Sequence, residues 1–143
     1  MTLRDYIVSL IVCSLLILFF ACRTSPKLSF DVPALDTTIH PTKISLSDLA
    51  KDYKAYNGKY IETEGTFHSH FEQFAVFTDK KFLTSKTQAF WLDLNRKLQI
   101  PEEAFGKMNG QQIRIKGKID MTRKGHLGQY IATIDNIYYW HQE

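Results

Sequence analysis

Two stretches of this 143-residue chain are written on one plan, and that repetition constrains the fold more than any other feature. Asn109-Gly110 is followed by Ile113, Gly117 and Ile119, and Asn57-Gly58 is followed at the same spacings by Ile61, Gly65 and Phe67. In each copy a Gly interrupts a run of alternating apolar and polar residues. An interior strand Gly marks a bulge or a sharp bend where a sheet curls. Two such strands within about 100 residues predict a small closed or nearly closed barrel.

The elements around these strands follow from periodicity. A helix is predicted over residues 45–56, because Leu46, Leu49, Ala50, Tyr53 and Tyr56 recur at three- and four-residue steps. Ser45 is its expected N-cap and Asn57-Gly58 its stop. Strands are predicted over 60–67, 74–78, 89–94, 111–121 and 130–140, with a break in alternation near Asp135-Asn136 that marks a bulge. Pro101 opens a short helix over 102–108, with Glu102 and Glu103 in its first turn. The order is therefore mainly β: three strands, a short helix and two strands, after an N-terminal helix. That is the order of a five-stranded OB-fold barrel with its short helix between strands three and four.

The N-terminus supplies an address. Residues 6–21 are apolar except for Ser9 and Ser14, counting Cys13 as apolar, and they end at Ala21-Cys22. Such a run reads as a secretion signal or as an uncleaved anchor. Phe19-Phe20-Ala21-Cys22 resembles the lipobox of bacterial lipoproteins, which implies a signal peptide over 1–22 and lipidation of Cys22. The resemblance implies a cell-envelope protein attached to membrane through Cys22. Arg23 after the Cys favours the outer membrane, facing the periplasm. Residues 23–42 contain Pro26, Pro33 and Pro41 without amphipathic period and are expected to be a flexible tether, leaving 43–143 as the domain. Cys13 and Cys22 are the two cysteines, so no disulfide staples that domain.

The leading helix ending at Tyr56, the run from Gly58 to Gly65 and the run from Gly110 to Gly117 resemble the anticodon-binding-like OB-fold family of small secreted bacterial proteins. The resemblance covers about residues 44–143 and specifies fold, not activity.

OB-folds bind on the face of strands two and three, rimmed by the loops after strands one and four. Projected here, that face gathers His68, His70, Phe71, Trp91, Arg123, Lys124 and His126. An outward Trp91 would stack on a base or a sugar ring, or else cover the barrel. Arg123 and Lys124 read as a free basic tip. Arg114, Lys116 and Lys118 are expected opposite Glu62 and Glu64 as cross-strand charge pairs. A net charge of +3 does not by itself argue for a polyanion, and nucleic acid is not the expected partner of an exported domain. His68, His70 and His126 are weak candidates for a three-His metal site, and no cofactor is expected. No nucleophile-elbow, Walker or His-Glu-x-x-His motif occurs, so no catalysis is expected. The reading is a lipid-anchored binding domain whose partner is an envelope protein or small ligand. Nucleic-acid binding and a His-dependent metal or cofactor carrier are the alternatives.

Overall fold

Strand is the commonest element among the described residues because alternation dominates the sequence. A computed structural model describes residues 26–79, 81 and 85–143. The signal segment and Cys22 lie outside the described residues. β1 (Ser29–Asp31) and the single turn α1 (Pro33–Asp36) come first, then β2 (Thr42–Lys43) and α2 (Leu46–Asp52), which tightens into a 3-10 turn at Tyr53–Tyr56. β3 (Tyr60–His70), β4 (Gln73–Phe77) and β5 (Ala89–Leu94) follow, then α3 (Glu102–Met108), β6 (Gln112–Asp120) and β7 (Thr133–Gln142). Among the described residues no helix is long and apolar enough to cross a membrane.

The pairings return on themselves. β3 pairs with β4, β4 with β5, β5 with β7, β7 with β6, and β6 with β3 again. These are the five expected strands. The sheet nevertheless has seven, because β1 adds antiparallel to β7 and β2 adds parallel to β3. The architecture is thus a mainly β, seven-stranded sheet in which five strands ring and two add to them, and not a plain five-stranded barrel.

The additions correct the expected tether. From Ser29 onward the stretch is part of the fold: Phe30 lies opposite Trp140, Val32 is buried, and Asp36 pairs with Lys116 at 2.6 Å. Its apolar residues alternate in pieces too short to show a period, and they gain a strand only from the open edge of β7.

The two copies of the repeat become neighbours. β3 and β6 run antiparallel with Ile61 opposite Gly117 and Gly65 opposite Ile113, so each copy lays its Gly beneath the other's Ile. The flanking Asn residues act alike at opposite ends of the pair. Asn57 accepts from the Met121 amide at 3.0 Å and Asn109 from the Ser69 amide at 2.9 Å. Gly58 N–H donates to Ile119 and Gly110 N–H to Phe67, each at 2.8 Å. The inward residues Ile61, Phe67, Ile113, Ile115 and Ile119 are buried, as alternation requires.

Helices close the core. Ser45 Oγ accepts from the Asp48 amide at 3.1 Å, capping α2, whose Leu46 and Leu49 are buried. α3 brings Phe105 against Phe67 and Phe74, and its Met108 sulfur accepts from the Trp140 indole N–H at 3.1 Å. The expected bulge in β7 is present: register shifts opposite Lys116 and Lys118, and Asn136 takes a positive φ of 53°.

Candidate functional site

The expected binding face lies on the outer side of β3 to β5, and the loop from β6 to β7 folds across it. β3 runs on through His70, three residues beyond its expected end, so the loop expected over 68–73 shrinks to the tight turn Phe71-Glu72. His68 lies opposite Ala75, and Ala75 opposite Trp91. His68 and His70 share one side, with ring centroids 6.3 Å apart. His126 approaches from the crossing loop and places Nε2 3.3 Å from Glu72 Oε2.

Among the described residues no group of three His, Cys, Asp or Glu side chains is placed to hold a metal ion. His68 stacks with His70 and meets the Phe77 ring edge-on, while His126 lies against the hairpin carboxylate of Glu72.

Trp91 is half-buried and meets Tyr130 edge-on at 5.3 Å. Gly125 of the crossing loop lies flat on it, so close that a Cβ there would be 2.7 Å from the indole Cγ and Cδ2. The ring covers the sheet beneath the loop and does not stand free as a stacking platform. A glycine is what permits that approach.

Arg123 is not the free tip expected of it. Its guanidinium donates through Nη1 to Asp93 at 2.8 Å, through Nε to Asp120 at 3.0 Å and through Nη2 to Asp135 at 2.7 Å. Bonds from Thr122 and the guanidinium hold the Asp120 carboxyl down to about 2, and the three carboxylates hold Arg123 firmly cationic. Those partners come from β5, β6 and β7, so Arg123 pins the root of the crossing loop to three strands. Lys124 points elsewhere, into a cavity beside Tyr130.

Two of the three basic residues of β6 are also engaged. Arg114 bonds Glu64 at 2.7 Å and Glu143 at 2.9 Å, and Lys116 bonds Asp36 while lying 4.4 Å from the centre of the Tyr139 ring. Glu62 and Glu64 do lie across from Lys116 and Arg114. The positive strip is therefore interleaved with carboxylates, unlike a phosphate-tracking groove.

Two large apolar residues of this face are also presented to solvent. Phe71 is 83% exposed at the β3–β4 turn and Leu127 is 73% exposed in the crossing loop. Their neighbours Glu72 and His126 are in contact, which joins the two loop tips into one patch. Glu72 and Leu127 both have positive φ, 60° and 54°. Leu127 and Glu72 carry no motif; the one clue in the sequence is an apolar residue bracketed by Gly125 and Gly128 in an otherwise polar loop.

Comparison with protein-family models and with curated proteins finds no match to this chain.

Proposed function

We propose that this chain is a lipid-anchored envelope protein whose OB-type domain binds a partner protein and carries out no chemistry. The ring of the five longer strands, with α3 between β5 and β6, supports the OB reading of the domain and its likeness to the anticodon-binding-like family. The lipobox-like Phe19-Phe20-Ala21-Cys22 supports acylation at Cys22 and an outer-membrane, periplasm-facing position.

One observation carries the binding reading: among the described residues Phe71 and Leu127 are the large apolar residues left exposed, and a contact between their neighbours holds them on adjoining tips. Exposed aromatic and aliphatic side chains on a braced surface are the anchors of protein interfaces. The internal pairing of Arg114, Lys116 and Arg123 weighs against the nucleic-acid reading.

A photo-crosslinking amino acid placed at Phe71 tests this in living cells, with the same probe at Lys54 as control. Lys54 precedes β3 at its far end, on the order of 30 Å away along an eleven-residue strand. The expected result is an adduct of discrete mass from position 71, none from position 54, and loss of both the adduct and fatty-acid labelling in Cys22→Ala. Equal crosslinking from both positions, or none from either, would sink the partner reading. Labelling that survives Cys22→Ala would sink the anchor.

A further inference from the structure

Away from that patch, α2, its 3-10 extension, Thr78, Thr87, Gln88 and the end of the crossing loop line a cavity of about 480 Å³, within the range of small-molecule sites. Two features of its lining bear on what it can hold.

The first is a pair of orphan hydroxyls. Tyr130 is 2% exposed and its Oη has no hydrogen-bond partner; the Oγ1 of Thr78 is likewise buried and unpartnered. A buried hydroxyl without a partner gives up its hydrogen bonds to water and gains none in return, so two among the residues lining one cavity ask for a reason. An acceptor atom on a ligand supplies one. Burial pushes the Tyr130 phenol up, so it remains a donor at neutral pH.

The second is charge. The cavity's described lining includes Lys51 and Lys124 but no carboxylate, and Lys86 Nζ lies 5.8 Å from the centre of the Tyr130 ring. Carboxylates line two other cavities: Glu62 and Glu64 stand beside Lys43 and Arg114 in one, and Asp93 and Asp135 beside Arg96, Lys97, Lys118 and Arg123 in another. Lys51 is already paired with Asp48 at 2.7 Å, which leaves Lys124 as the cation best placed to meet a ligand. The lining also includes the apolar bodies of Ala50, Tyr53 and Ile131.

We infer that this cavity binds a small organic anion, a carboxylate carried on a compact apolar body, with Tyr130 Oη, Thr78 Oγ1 and Lys124 Nζ donating to the carboxylate. The site is separate from the Phe71–Leu127 patch and does not depend on the partner reading or on acylation of Cys22. Partner and anion would bind through different residues of one domain.

Fluorine NMR of the full chain in lipid nanodiscs, titrated with para-fluorobenzoate, tests it, with the neutral amide para-fluorobenzamide as control. The expected result is saturable benzoate binding that weakens about fivefold in Tyr130→Phe, the equivalent of one hydrogen bond, and by a similar factor in Lys124→Gln. The amide should bind more weakly than the acid. Tyr130→Phe removes an oxygen that bonds nothing in the fold, so its thermal unfolding should match or exceed the native chain's, which separates lost binding from lost structure. Absence of saturable benzoate binding, equal affinity for acid and amide, or benzoate affinity unchanged in both variants would overturn the site.

Discussion

Gly65 of β3 lies directly opposite Ile113 of β6, and its place admits nothing larger than hydrogen. A Cβ there would come within 2.6 Å of Val76 Cγ2, 2.7 Å of Leu46 Cδ2 and 2.8 Å of the Phe77 carbonyl oxygen. Gly65→Ala is therefore expected to destabilise by about 1–3 kcal/mol through overpacking between β4 and α2. Gly106→Ala is the counterpart: Gly106 sits in α3 with open space around it, so the change should stabilise by about 0.5–1 kcal/mol. Urea midpoints should fall in the order Gly106→Ala, native, Gly65→Ala. A Gly65→Ala midpoint at or above native would remove the close-packing account.

That pairing also shows what the sequence could and could not reveal. The repeat was legible because both of its copies carry the same spacing locally, and strand alternation then placed Ile61, Phe67, Ile113 and Ile119 in the core. The α2 cap was legible because Ser45 and Asp48 are three residues apart. The role of Arg123 was not, since Asp93 lies thirty residues away in sequence and reaches it only after β5 and β7 pair. Trp91 was correctly assigned to the outer side, yet nothing local indicates that a distant Gly125 would lie on it. Residues 28–36 gave no period because their partner, β7, is at the other end of the chain.

Gly125 provides the second prediction. It has φ +62°, and a Cβ would strike Trp91 at 2.7 Å, so Gly125→Ala combines backbone strain with a clash against a bulky ring. The expected loss is about 2–3 kcal/mol, with a changed near-ultraviolet circular dichroism signal as the indole shifts. Gly128 also has positive φ, +66°, but open space around it. Gly128→Ala should cost only about 1 kcal/mol and leave the indole signal alone. Equal effects of the two substitutions would mean that the loop does not rest on Trp91.

The Arg123 network predicts a pH dependence. Asp120 titrates at about 2 in the folded chain, held there first by Thr122 and then by Arg123, against 3.8 as the ordinary value. A carboxyl with a depressed folded value contributes stability above its unfolded value and loses it as pH falls through the folded one. Asp120→Asn should thus unfold earlier than native at neutral pH by about 1–2 kcal/mol, discounted for partial exposure, with the gap closing between pH 3.8 and 2. Thermal unfolding of both chains across that window measures it. A gap that persists below pH 2 would show that Asp120 acts through shape and not charge.

Leu127 gives the last prediction, and the one that bears on function. Its backbone is left-handed, φ 54° and ψ 18°, at a cost of about 1 kcal/mol for a side chain with a Cβ, while the side chain itself is 73% exposed and recovers little by packing. Leu127→Gly should therefore raise stability by about 0.5–1 kcal/mol, read from the denaturant midpoint. If the exposed leucine is held in place for a partner, the same substitution should reduce crosslinking from position 71 by at least about tenfold, as loss of an interface anchor does. A more stable chain that binds less is the pattern of a strained residue kept for contact outside the molecule. A less stable chain would instead assign Leu127 to the fold, and the patch would then rest on Phe71 alone.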